Sequence, residues 1–477
     1  QTVVSAALMF VLYRDLLSVV GADGLGLWSV VLASTGAVRI TELGLTGSAV
    51  KYVATYLARR DDRSAARAAE TTVTTVAVLI GLTAVGGYFV LRLVFPLFVP
   101  AAEMPAALAL LPYACVSFWL AAVAGAVQSG LEGCSRYDLR NVVLIVGQVL
   151  YVGLALWWVR RSGLVGVALA QVVQGGVLVV SFWLLLRREL PAVRWLPGRW
   201  DRALFREMLG YGLNFQAMGL LRMIYEPTTK ALMSAYGGLA LTGYYEMAGQ
   251  LVTKLRALLV AAQQVMTPEV AALSESAPER VREVYAAADA VNWYLCVPVF
   301  ALMIAAGPLA SYLWIGHVEP AFVVFTTLLA LGWFANAITG PAFFLLLGTG
   351  EMRVVVASHV TIAVVNGAGG WLLGTTVGGY GVAGAWAAAL TAGAVHLMLG
   401  IPRDRGIPFR VPPESRPTAV AALGGLGAAA VIFLAAPTAP VAALAAPLVL
   451  AALLLVPMWR APHRARLLNA VRRMRPA

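Results

Sequence analysis

Three ionisable residues stand where a lipid bilayer would exclude them. The stretch 213–237, LNFQAMGLLRMIYEPTTKALMSAYG, has the length and apolar content of a membrane-spanning helix, yet it carries Arg222, Glu226 and Lys230. Their i, i+4, i+8 spacing stacks them along one helical face. A charge at mid-bilayer costs roughly 2.5–3.5 kcal/mol on insertion scales, so the stripe must face protein or water. Neighbouring segments add Arg14 and Asp15, then Arg39, Glu42 and Lys51, then Glu246, Lys254 and Arg256. One reading is mutual neutralisation, with Glu42 serving Arg39 and Glu226 serving both Arg222 and Lys230. The other rests on sign. Cations outnumber anions in this set, and a water-filled cationic cavity would spare the protein from burying the excess while attracting an anion. Arg offers a bidentate fork to phosphate and Lys a point charge. On this reading Arg14, Arg39, Arg222, Lys230, Lys254 and Arg256 bind substrate, while Asp15, Glu42 and Glu226 balance charge or couple to H+ or Na+. Pro227 would break the ladder of this helix, as in helices that line a cavity.

The elements that must position these groups are transmembrane helices. The 477 residues are 60% hydrophobic and 12% charged, with a mean hydropathy of +0.81. Soluble domains do not have this composition. Apolar runs of spanning length lie at about 1–20, 25–57, 71–98, 105–130, 141–159 and 163–186. A second set follows at about 206–236, 240–267, 289–315, 320–348, 353–376 and 380–400, and two more near 418–436 and 438–459, so about fourteen spans are expected. The net charge of +12 is nearly all arginine, because lysine occurs only at 51, 230 and 254. Arginines crowd alternate connections, among them Arg59, Arg63, Arg136, Arg187, Arg353, Arg410 and the tail from Arg460. The positive-inside bias therefore predicts cytoplasmic termini, with Arg160 and Arg161 as the exception on the outer side. That bias accounts for the basic pI without nucleic acid. Cys115, Cys134 and Cys296 have no metal or disulfide spacing and are expected to be inert. No cleavable signal sequence is recognised at the start. The chain opens at Gln1 without an initiator Met, so a few natural residues are expected to precede it.

Displacing the chain by about 217 positions aligns landmarks in equivalent places. Gly26 falls on Gly243, Arg39 on Arg256, Arg63 on Arg280 and Gly133 on Gly350; with one extra residue, Gly163 and Gly166 fall on Gly381 and Gly384. Lys230 falls within one residue of Arg14. Six spans per half make the repeat parallel, with a pseudo-twofold along the membrane normal and the site between halves. The expected fold is all-α: a six-helix lobe over 1–187, a cytoplasmic amphipathic linker over 188–205, and a second six-helix lobe over 206–400. A cytoplasmic loop over 401–416, two further spanning helices within 417–459 and a basic tail over 460–477 complete it. The linker, rich in Trp and Arg, reads as a segment on the inner membrane surface or as a flexible tie between lobes.

With these features in hand, GLGLWSVVLASTGAVRITELGLTGSAVKYVA (24–54) and GYYEMAGQLVTKLRALLVAAQQVMTPEV (243–270) resemble signature regions of the polysaccharide-transporter, or lipid-linked oligosaccharide flippase, family. Multidrug antiporters and lipid II flippases share its superfamily. The resemblance implies two lobes around a basic central cavity and alternating access that moves a polyprenyl-pyrophosphate-linked glycan outward across a bacterial cytoplasmic membrane. It implies membrane lipids, a glycan polymerase and glycosyltransferases as partners, and a monomer without cofactor. A cation-coupled drug exporter, or lipid II exporter, of the same superfamily is the rival transport reading, with Glu42 and Glu226 as its cation sites. A membrane-bound glycan polymerase is the rival from another class. The short outer connections, with little beyond Asp23, Glu103, His317 and Glu319, and the lack of a catalytic triad, metal or nucleotide signature speak against an enzyme.

Overall fold

The computed structural model describes residues 2–36, 45–263, 278–349, 351–401, 411–435 and 440–461. Among these the fold is all-helical. The helices are α1 (Thr2–Gly36), α2 (Leu45–Ala58), α3 (Asp62–Val94), α4 (Met104–Gly133), α5 (Tyr137–Glu189), α6 (Arg202–Gln263) and α7 (Pro278–Ala305). They continue as α8 (Gly307–Ile315), α9 (Pro320–Ile338), α10 (Gly340–Gly348), α11 (Met352–Val377), α12 (Gly379–Leu399), α13 (Arg416–Ala435) and α14 (Pro440–Arg460). Ten helices among the described residues are long and apolar enough to cross a membrane. Lipid offers the backbone no hydrogen-bond partner, so helices are what such a sequence can form there. Their exposed faces suit acyl chains: Val78, Leu82, Val85, Phe89 and Leu93 run along the open side of α3. The chain is a multi-pass membrane protein.

At 1.5 Å per residue, 53 residues of unbroken helix would run roughly 80 Å against a hydrocarbon core of about 30 Å. α5 solves this by turning back on itself at Gly163, where φ is 56° and ψ −140°. Only glycine adopts such angles without strain. The two arms then pack closely, since a Cβ on Gly147 would meet the Leu178 side chain and one on Gly166 the Trp158 carbonyl. The second half repeats this hairpin. Gly378, with φ 69° and ψ −149°, separates α11 from α12; a Cβ on Gly381 would meet the Leu373 carbonyl, and one on Gly393 the Ile362 side chain. Every pair lies 215 positions after its counterpart. The register expected for this region is therefore corrected: Gly163 matches Gly378 and Gly166 matches Gly381. Glycines recur every third residue at 163, 166 and at 378, 381, 384, so the pattern looks the same when displaced by three.

The offset of 217 holds at the first junction. α1 breaks at Gly21 (φ 71°, ψ 178°) and α6 at Gly238 (φ 79°, ψ 174°). The chains beyond these breaks cross at Gly26 and Gly243, where a Cβ on Gly26 would strike the Leu239 carbonyl and one on Gly243 the Ala22 carbonyl. Leu239 is Ala22 displaced by 217, so the crossing is symmetric. The chain forms two compact units, Gln1–Gly243 and Tyr244–Ala477. This crossing, with the Ser234 hydroxyl donating to the Phe98 carbonyl at 2.6 Å, ties 206–243 to the first unit.

The connection after α5 is not helical and is ordered against the first unit. α5 stops before Leu190, and Pro191, Pro197 and Gly198 keep the next residues from helix. Instead the segment runs as a strap along α3. Leu190 and Val193 are buried in the first unit's core. The Arg194 N–H donates to Glu70 Oε1 at 2.8 Å and the Trp200 indole N–H to Thr75 Oγ1 at 3.1 Å. The Arg187 guanidinium lies 3.3 Å over the Trp195 ring, and Asp201 then caps α6 by accepting from the Ala203 and Leu204 N–H groups. In the second unit, α13 and α14 are packed onto α7 through Ala301, Ala305, Ala422, Ala429, Ala446 and Leu450, and the Tyr294 hydroxyl donates to the Met458 carbonyl at 3.1 Å. The cysteines form no disulfide; burial pushes the Cys134 thiol, between α4 and α5, up to about 11, so it stays protonated at neutral pH.

The hairpins make a test. Gly393→Ile should overpack the α11–α12 contact and cost about 1–3 kcal/mol. Adding Ile362→Gly, which reproduces the small–large order of Gly147 and Leu178, should recover most of the lost melting temperature in detergent.

Candidate functional site

The charged stripe is only partly described: Arg39 and Glu42, and the side chain of Arg222, lie outside the described residues. Lys230 is 5% exposed, and its Nζ lies 2.6 Å from Glu226 Oε1. The outward member of this pair is the acid, whose side chain is 70% exposed. Pro227 sits between them in sequence without ending α6. Glu226 thus neutralises Lys230.

Arg14 is not the counterpart of Lys230. With Gly21 matched to Gly238, Lys230 falls on Tyr13 and Arg14 on Ala231. The burial agrees: Tyr13 is 7% exposed, close to Lys230, whereas Arg14 faces outward. One residue on a helix is about 100° of rotation, enough to move a side chain to another face. Asp15 has a partner of its own, since Arg160 Nη2 lies 2.5 Å from its Oδ1. Arg160, the exception to the charge bias, is therefore compensated, and Asp15 is its partner. Arg161 stacks on Trp157 with its Cζ 4.2 Å from the ring centre. Lys51 is exposed, 5.5 Å from the centre of the Tyr52 ring.

The second unit carries the other cationic group. Arg256, on α6, lies with its Cζ 4.0 Å over the Trp333 ring and donates from Nη2 to Asn336 Oδ1 at 3.1 Å. Both partners belong to α9. Stacking fixes the guanidinium plane and the amide fixes its rotation about that plane, which is how an Arg fork is held ready for an oxyanion. Asn292 of α7 locks the same end of α9, donating to the carbonyls of Ala337 and Ile338 at 2.9 and 3.2 Å. Lys254, two residues before Arg256, is half-buried. Glu246 is buried and accepts from the Gln250 amide at 2.8 Å. Its counterpart in the first half is Ser29, which is 2% exposed and uncharged.

Two acids that the sequence reading passed over are built into the first unit. Glu70 is fully buried on α3 and receives the strap. Glu132, at the end of α4, accepts from Gln128 Nε2 at 2.8 Å and lies 3.2 Å from Arg140 Nε. The i, i+4 spacing of Gln128 and Glu132 was a legible signal. Among the described residues no group of three or more His, Cys, Asp or Glu side chains is arranged to hold a metal ion.

The arrangement is that of a carrier with charges held inside its helices. The model of a family described as polysaccharide biosynthesis protein matches residues 53–317. The chain belongs to this family. Its fold is similar to that of several solved membrane transporters. The inward-facing conformation of a multidrug resistance MATE family transporter aligns with a TM-score of 0.69 and 15% identity, covering 84% of this chain and 97% of that one. The lipid II flippase MurJ, in an inward closed conformation, aligns at 0.68 with 13% identity, covering 91% of this chain and 96% of that one. A superfamily transporter from Pyrococcus furiosus, titled as having a binding pocket of reversed polarity, aligns at 0.51 with 16% identity, covering 83% of this chain and 93% of that one. No curated protein sequence matches. The family match and these neighbours agree with the multi-pass all-α transporter fold expected from the sequence.

The Lys230–Glu226 pair yields an ordering. Glu226→Gln leaves a buried ammonium without its carboxylate and should lower the melting temperature in detergent more than the double change Glu226→Gln with Lys230→Met, which removes both charges. Equal losses would mean that the pair contributes no coupling.

Proposed function

We propose that this family member is a flippase that moves a polyprenyl-pyrophosphate-linked oligosaccharide across the bacterial cytoplasmic membrane by alternating access, with both termini cytoplasmic. The observation that carries the reading is Arg256: a half-buried guanidinium on α6, oriented by Trp333 and Asn336. A fixed fork in a region of low dielectric suits a diphosphate, which accepts two parallel N–H···O bonds. Binding there would replace much of the hydration that the headgroup loses on leaving water, and so lower its barrier to crossing. Lys254 lies close by in sequence, and Arg14 adds an exposed cation on the first span. Arg39, Arg222 and Lys230 complete the proposed set, with Lys230 already paired. The family's assignment to polysaccharide biosynthesis supports a glycan cargo, and the shared fold with a lipid II flippase supports a lipid carrier. Glycosyltransferases would supply the substrate and a polymerase would consume it.

One observation favours the drug-exporter reading: the Glu226 carboxylate is the exposed member of its pair and could meet a cation.

Arg256→Ala and Trp333→Ala should each lower polymer export about tenfold or more while protein levels stay intact. That is the effect of losing one charge-assisted hydrogen bond of roughly 1.5–3 kcal/mol. Export measured in cells whose own flippase gene is deleted checks this. Normal export in both variants, together with Glu226-dependent drug resistance, would favour the exporter.

A further inference from the structure

The first unit contains a cavity that the cationic groups do not explain. It has a volume of about 320 Å³ and lies between α2 and α4. Its walls include Thr46, Gly47, Gly125, Gln128, Ser129 and Glu132. The two glycines hold it open, because a Cβ on either would meet nothing within 4 Å. The volume is at the lower end of small-ligand pockets, about 300–1,000 Å³, and accommodates one or two sugar rings.

Its polar wall combines acceptors with a few donors and has no net charge, beside the apolar Val50, Ala121 and Ala122. Gln128 spends an amide N–H on Glu132, which leaves its carbonyl oxygen on the cavity wall. Glu132 Oε1 receives that N–H and lies 3.2 Å from Arg140 Nε, so its charge is balanced, while Oε2 remains an acceptor. The Ser129 hydroxyl donates to the Ala126 carbonyl and can still accept, and Thr46 brings a hydroxyl from the facing helix. An anion would face oxygen lone pairs here. A cation would find a carboxylate whose charge Arg140 already offsets. A neutral molecule with several hydroxyl donors satisfies the set, since adjacent hydroxyls can bridge a carboxylate and an amide oxygen.

We propose that this cavity is a saccharide subsite that takes an uncharged, polyhydroxylated ring of the cargo. The proposal rests on the flippase reading and deepens it: the basic residues recognise the diphosphate, and this cavity recognises the sugar joined to it. Recognition by the two groups of residues is then separable by mutation.

The test uses the full-length protein in lipid nanodiscs and saturation-transfer NMR with two probes, D-galactose and maltose. The wild type should transfer saturation to at least one sugar. Gly125→Leu, which fills the cavity, should abolish the transfer, and Gly86→Leu, at an exposed α3 glycine with open space around it, should retain it. Should Gly125→Leu fail to fold, Gln128→Ala is read in the same way, with transfer expected to fall at least severalfold. No transfer in the wild type, or transfer unchanged by filling the cavity, overturns the proposal. So does tetraphenylphosphonium binding that depends on Gly125 in the absence of sugar binding. Arg256→Ala is included as the distinguishing arm. It should keep sugar transfer while losing export, and loss of sugar transfer there would overturn the separation of the two subsites. Sugar binding with normal export in Arg256→Ala would instead count against the diphosphate reading and leave the sugar subsite standing.

Discussion

In lipid, burying one apolar side chain against another gains little, because the acyl chains it leaves are just as apolar. What holds helices together is close contact, and close contact needs small residues where backbones meet. The first unit depends on this at Gly26 and Gly243, where the backbones cross so tightly that neither position has room for a Cβ. The same constraint shapes the hairpins, where Gly166 and Gly381 accept a carbonyl from the opposing arm. It also shapes the seam of alanines that seats the last two helices on α7. Large apolar side chains are sent outward, as on α3, where they face lipid at no cost.

Once the scaffold is fixed by small residues, each charge at membrane depth needs its own solution. Lys230 is buried against an acid on the same helical face, and Asp15 is met by an arginine from another helix. Both arrangements neutralise and leave little for a ligand. Arg256 is handled differently, since a ring and an amide oxygen of another helix both take part in orienting it.

Much of the fold was legible because it follows from length, hydropathy and periodic glycines. The all-helical, membrane-spanning character and the Gly26–Gly243 equivalence could be read from the chain. The errors have physical causes. A glycine every third residue can be displaced by three without changing its appearance, which put Gly163 on Gly381 instead of Gly378. A one-residue error in helix register is invisible in a list of aligned landmarks, yet it turns a side chain by about 100°, which made Arg14 seem equivalent to Lys230. The strap's course was not legible, because its Trp and Arg residues suggest a membrane surface. The decisive groups, Glu70, Thr71 and Thr75, lie about 120–130 residues earlier in the chain. Glu132 was passed over because it sits at a helix end, where an acid looks solvated; its links to Gln128 and Arg140 form only when the helices are in place.

The repeat is strict in backbone and loose in chemistry. The breaks at Gly21 and Gly238 agree to within 8° in both angles, yet the residues around them diverge: Tyr13 against Lys230, Arg14 against Ala231, Ser29 against Glu246. Backbone symmetry is enforced because each half must solve the same packing problem with the same few glycines. Side chains that face neither backbone carry no such constraint and can differ between halves. A backbone held by a few glycines therefore leaves the remaining side chains free to differ, so a shared fold does not by itself fix what each half binds.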